Sequence, residues 1–182
     1  MRNRNQQVVQ LARRADVAGL RLAIDHRKPW LDPIARVASK AGRGGILWAV
    51  TTAIAAFRVR GPKAAPVAAT AVFAAFLASL GFARLVNRPR PYVQLRAIRP
   101  IGKLPDGPSF PSDQAASAAA GAYVLSRLVP DHKERWWFAA VSMSASRVYV
   151  GVHFPSDVLT GVILGSAVGR LWKSRSSKRT AK

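Results

Sequence analysis

A chain of 182 residues is long enough for one domain with a sizeable core and does not require two. Lysine and arginine outnumber aspartate and glutamate 29 to 8, a formal charge of +21, yet 49% of the residues are hydrophobic and the charges fall in blocks between charge-free stretches. That pattern argues against a soluble nucleic-acid-binding protein, and the lack of cysteine excludes disulfides and thiolate metal sites.

The first 43 residues carry ten basic side chains and a partial apolar stripe of Val8, Leu11, Ala12, Ala15 and Leu22. Charges scattered through this stretch leave no apolar core of signal-peptide length, so it is not read as a cleaved signal. It predicts an interfacial helix and a short second helix lying on a membrane surface. Gly44 to Phe57 follows as an apolar segment whose flanking Arg43 and Arg58 are placed to snorkel. Ala64 to Ala83 is free of charge over about the length that crosses a bilayer core. Ser112 to Val129, Arg135 to His153 and Pro155 to Trp172 each offer roughly 18 helical residues, or roughly 27 Å. Small residues in AASAAAGA and GVILGSAVG suit closely packed helices, and the tryptophans lie mostly near segment ends, as membrane aromatics do. The expectation is an all-α, multi-pass membrane helical bundle of about five spanning helices. It occupies residues 44–172, preceded by basic amphipathic helices in 1–43 and followed by a basic tail, 173–182.

This topology returns the chain to one membrane face twice, around residues 84–112 and around 153–157. Three polar clusters therefore meet: RLVNRPRP from Arg84, FPSDQ from Phe110, and SRVYVGVHFPSD from Ser146. Arg84, Arg88, Arg90 and Arg147 bring guanidiniums to a helix N-terminus at Ser112. Forked donors and the helix dipole both match phosphate oxygens, so the expected ligand is a phosphate. His153, four residues before Asp157, is the natural nucleophile or base, with the carboxylate fixing its tautomer. Each group alone has a plainer reading. Ser112 with Asp113 caps a helix, Arg88 and Arg90 meet solvent or lipid headgroups, and His153 or Asp157 is a satisfied polar side chain. Arg147, well inside an apolar helical run, has no such easy alternative.

With these residues in view, the chain resembles the type 2 phosphatidic acid phosphatase superfamily, which includes lipid phosphatases and vanadium haloperoxidases. SRVYVGVH matches its Ser-Arg, five residues, His signature. FPSDQ lies where the family has Pro-Ser-Gly-His or Pro-Ser-Asp-His, and RPRP ends a first motif of Lys, six residues, Arg-Pro. The motifs follow the family's order, and the likeness spans Leu31 to Trp172. The resemblance implies a metal-independent phosphatase without cofactor. In it His153 forms a phosphohistidine, Asp157 orients His153, and Arg90, Arg147 and Ser112 hold the phosphoryl oxygens with help from the amide near Asp113. By the same analogy the site of a cell-membrane protein faces outward. The distribution of positive charge does not itself decide the orientation.

Two positions depart from the family pattern. Ala83 stands where the first motif has lysine, with Arg84 one residue out of phase and so turned by about 100° on a helix. Gln114 stands where the second motif has the histidine that protonates the leaving group, and an amide supplies no proton. A phosphate monoester expels an alkoxide and needs that proton; a lipid diphosphate expels a phosphate and needs it less. The reading is therefore a membrane lipid phosphatase whose favoured substrate is a polyprenyl diphosphate. Phosphatidic acid or another phospholipid monoester, and a catalytically weakened phospholipid-binding protein, stand as alternatives.

Overall fold

The computed structural model describes residues 2–172, with side chains from residue 6 onwards. The basic tail expected at 173–182 lies outside the described residues. Within them all regular structure is helical: α1 (Arg2–Asp25), α2 (Asp32–Ala41), α3 (Ile46–Arg60), α4 (Ala64–Val86), α5 (Pro91–Gln94), α6 (Asp113–Leu128), α7 (Lys133–Tyr149) and α8 (Pro155–Leu171). Short 3-10 turns precede α3 and α7.

The five apolar segments read from the sequence correspond to α3, α4, α6, α7 and α8. Their lengths differ from the expectation. Among the described residues one helical stretch, Ala64–Gln94, which contains α4 and α5, is long and apolar enough by itself to cross a membrane. Helices α3, α6, α7 and α8 have 15, 16, 17 and 17 residues. Local chemistry sets their limits. Gly61 closes α3 with φ of 84°, Ser112 caps the start of α6, and Pro155 sits in the first turn of α8.

Helix α6 is the hub of the bundle, packed against α8, α7, α4 and α3. Its run of alanine, serine and glycine is buried from Gln114 to Ala122, because small side chains let neighbours approach on every side. The approach is closest to α8. A Cβ on Gly161 would stand 2.5 Å from the Ser112 carbonyl oxygen, and one on Gly165 only 2.0 Å from that of Ala116. Neither obstacle is a side chain that can rotate away. Gly165→Ala is therefore expected to destabilise the protein by about 1–3 kcal/mol, read as a lowered melting temperature in detergent. Gly81→Ala in α4 has nothing within 4 Å of the new methyl group and serves as the neutral control.

Outside the hub, large apolar side chains point away from the bundle. Ile54 and Phe57 of α3, Leu77 of α4, Phe138 of α7, and Leu159 and Ile163 of α8 are all more than half exposed. A helical bundle that is apolar on its outer faces suits lipid as its solvent.

The N-terminal helices dock on the end of the bundle where α6 and α8 begin. Helix α1 packs against α7 and α8, and α2 packs against α7. Leu20 is fully buried with Ile98 and Phe154, and Ala35 with Val150 and Val152. The inward face of α1 is thus Asp16 and Leu20, whereas Val8, Leu11 and Leu22 of the apolar stripe stay exposed.

Candidate active site

The chain leaves α7 through a turn at Gly151, whose φ of 83° suits glycine. That turn folds the loop back, so that the Arg147 carbonyl accepts from the amides of Val152 at 3.2 Å and His153 at 3.3 Å. His153 is 1% exposed. Its Nδ1 lies 2.7 Å from the carbonyl oxygen of Ser109, which can only accept, so Nδ1 carries the proton. Its Nε2 lies 3.1 Å from Nη1 of Arg90, which can only donate, so Nε2 presents its lone pair there. Ser109 is itself held, its amide donating to the Arg88 carbonyl at 2.7 Å and its hydroxyl to that of Pro89 at 3.2 Å.

Asp157 is fully buried, and its carboxylate stands 3.7 Å from His153 Nδ1, beyond a hydrogen bond. One carboxylate oxygen accepts from the Phe154 amide at 2.8 Å and the other from Arg88 at 2.7 Å. Direct orientation of His153 therefore falls to the Ser109 carbonyl. Asp157 shapes the loop that carries the histidine and acts on the ring through its charge.

Burial disfavours the imidazolium and lowers the His153 pKa from 6.5; the Asp157 carboxylate opposes this, and Arg147 and Arg90 reinforce it. The neutral ring is the nucleophilic form, so a lowered pKa keeps it active further into acid. The acid limb of a kcat/KM against pH profile is expected below 6.5.

Arg90 is 7% exposed and donates to the carbonyls of Gly107 at 3.0 Å, Val152 at 3.1 Å and Asp106 at 3.4 Å. Arg147 is 4% exposed and donates to the Ser39 hydroxyl, while its buried Nε has no hydrogen-bond partner among the described residues. Ser112, fully buried, caps α6 by accepting from the Ala115 amide at 3.4 Å, which leaves its O–H available to donate. Asp113 stands half-buried on the first turn of α6. Gln114 is 4% exposed, with its Oε1 unpartnered. It shares with Arg147 a cavity of about 410 Å³ that Arg36, Lys40, Arg43 and Lys103 also line. A larger hollow, about 590 Å³, runs along α1 between Gln10 and Arg21 and contains none of these residues.

Two predicted residues lie elsewhere. Arg88 gives its guanidinium to Asp16 and Asp157, each at 2.7 Å, and to the Ser156 hydroxyl at 2.8 Å, and stacks 4.2 Å from the Phe154 ring centre. It braces Asp157 rather than facing the cavity. Arg84 is exposed on the last turn of α4. Asp16 also accepts from the Ser156 amide at 2.9 Å, which ties α1 to the start of α8. The sequence carried one signal for Asp16, a carboxylate in a helix otherwise charged almost wholly by arginine. The other two histidines are remote in character: His26 is exposed and bonds the Leu22 carbonyl, and His132 lies in the turn between α6 and α7, at the far end of α6 from Ser112.

A model of the PAP2 superfamily matches residues 63–181. The decaprenylphosphoryl-5-phosphoribose phosphatase of Mycobacterium tuberculosis is 32% identical over 154 residues, 79% of this chain and 80% of that protein. The undecaprenyl-diphosphatase of Sulfolobus acidocaldarius is 44% identical over 66 residues, 35% of this chain and 31% of that protein. A transmembrane PAP2-type phosphatidylglycerolphosphate phosphatase from Bacillus subtilis superimposes with a TM-score of 0.73 at 27% identity, over 89% of this chain and 84% of its own.

Proposed function

Because the chain belongs to the PAP2 superfamily and is a phosphatase acting on phosphate esters, we propose that it is a multi-pass membrane enzyme that removes the terminal phosphoryl group of a polyprenyl diphosphate without a metal ion, at a site facing outward. The observation that carries the mechanism is the environment of His153: Nδ1 committed to the Ser109 carbonyl, and Nε2 turned to Arg90.

In the first step Nε2 attacks the terminal phosphorus. The N–P bond forms as the P–O bond to the leaving group breaks, and the electron pair departs with that oxygen. Water then attacks the phosphohistidine, the P–N pair returns to Nε2, and phosphate is released. Arg90, Arg147 and the Ser112 hydroxyl hold the phosphoryl oxygens, joined by the amides of Asp113 and Gln114, which the first turn of α6 leaves unpaired. Arg90 exchanges the carbonyls of Asp106 and Gly107 for substrate oxygens as the phosphoryl group enters. Asp157, braced by Arg88 and Asp16, keeps the histidine loop in place.

The preference for a diphosphate rests on Gln114, which has no proton to give an alkoxide. The relative named undecaprenyl-diphosphatase supports it. A second reading, a phosphate monoester on a polyprenyl-phosphoryl sugar, draws on the longer match to the decaprenylphosphoryl-5-phosphoribose phosphatase. The apolar outer faces of α3, α4, α7 and α8 support the bundle's crossing the bilayer. Phosphate release by the purified protein in detergent with excess chelator is the test. Turnover of a polyprenyl diphosphate that exceeds turnover of phosphatidic acid is the expected result. Faster release from a polyprenyl-phosphoryl sugar phosphate favours the second reading, and no release from any of the three makes the chain a lipid-binding protein.

A further inference from the structure

We propose that Arg36, Lys40, Arg43 and Lys103 form a second anion subsite, which holds the substrate's non-transferred phosphate while His153 acts on the terminal one. This rests on the phosphatase reading above and adds to it a source of substrate selectivity.

The subsite begins in helix geometry. Arg36 and Lys40, four residues apart on α2, share a face with Ser39, and Arg43 follows in the 3-10 turn just past the helix end. Ala35 is buried against Val150 and Val152, which fixes α2 on the bundle end. The loop after α5 closes the opposite wall, where Gly102, with φ of 88°, lies close to the Arg36 stem: a Cβ there would be 3.3 Å from Arg36 Cγ. Lys103 follows directly. The space enclosed is about 410 Å³, within the roughly 300–1,000 Å³ of small-molecule sites and ample for more than one phosphoryl group.

Its lining carries five cations, counting Arg147, against a single carboxylate, Asp106. Cations gathered round one cavity repel, and an anion between them removes that cost. Two of the lining residues, Gln114 and Arg147, are 4% exposed and each has a buried polar atom without a partner, Oε1 and Nε. Arg147 joins the two sites. Its guanidinium bonds Ser39 of α2, and its carbonyl accepts the His153 amide.

The position also answers the lack of a proton at Gln114. A Cβ on Gly42 would lie 2.8 Å from Gln114 Oε1, so the end of α2 abuts the start of α6, and Arg36, Lys40 and Arg43 line one cavity with Gln114. For a diphosphate, the bridging P–O bond breaks with its electron pair on the departing phosphate. Guanidinium and ammonium groups receive that charge directly, and no proton has to move.

The experiment uses Lys40→Gln/Arg43→Gln, which alters exposed side chains. Its kcat/KM ratio for a polyprenyl diphosphate over the monophosphate of the same tail is expected to fall roughly 10- to 100-fold. In a His153→Gln background, calorimetric binding of methylenediphosphonate, a soluble probe with no lipid, is expected to weaken by a similar factor through the same two substitutions. Equal loss on both lipids with unaltered probe binding overturns the subsite in favour of general attraction to anionic headgroups. No change in either readout overturns it as a solvated face. Should the native protein release phosphate from neither lipid, the phosphatase reading fails separately. Probe binding that depends on Lys40 and Arg43 would still support the subsite, and probe binding indifferent to them would overturn it.

Discussion

Replacing His153 by glutamine is expected to lower phosphate release by about 10³-fold or more, the largest effect of any single substitution in this chain. Glutamine suits the test because its amide N–H can still donate to the Ser109 carbonyl, the contact that now holds Nδ1 at 2.7 Å. The loop between α7 and α8 then keeps its anchor, and an unchanged melting temperature separates loss of chemistry from loss of structure. What disappears is the Nε2 lone pair facing Arg90. A rapid quench with substrate labelled in its terminal phosphate gives the second readout. The native protein should yield an adduct stable in base and labile in acid, as a phosphoramidate is, and His153→Gln should yield none. An active variant, or an adduct that survives the substitution, would place the nucleophile elsewhere.

Much of the site was legible because it is local. Arg147 and His153 lie six residues apart, and a single turn after α7 brings the histidine back over the arginine's own carbonyl. Ser112 was legible as a cap for the same reason: its partner, the Ala115 amide, is three residues away. Arg88 was misplaced because neighbourhood with Arg90 says nothing of direction. In the extended stretch before α5, one guanidinium meets Asp16 and Asp157 while the other meets His153. Asp16 lies 72 positions from Arg88 in the chain, and no period or motif reports a contact of that span. The α2 cations stayed hidden on similar grounds, since a basic amphipathic helix reads alike whether its charges face lipid headgroups or a cavity. The segment limits were off by a few residues because apolar runs were measured from break to break: α6 and α8 stop one residue inside their runs, α7 starts at Lys133 and ends at Tyr149 rather than at His153, and α3 continues past Phe57 until Gly61 closes it.

Gln114→His is expected to raise kcat/KM on phosphatidic acid by about 10²-fold or more, while turnover of a polyprenyl diphosphate changes by only a few-fold. The asymmetry follows from the leaving groups. An alkoxide is a poor one until protonated, and a neighbouring imidazolium supplies that proton near neutral pH. A departing phosphate is already a weak base and gains little. The location favours the exchange, since Gln114 stands on the first turn of α6, almost fully buried, beside the cavity that Arg147 and the α2 cations share. Aryl phosphates of graded leaving-group acidity make the test quantitative. In the native protein the rate should fall steeply as the leaving group becomes more basic, and in Gln114→His the slope should flatten, because the new acid matters most where departure is hardest. A parallel rise on every substrate would mean instead that Gln114 disables the site as a whole, and the leaving-group argument for a diphosphate would go with it.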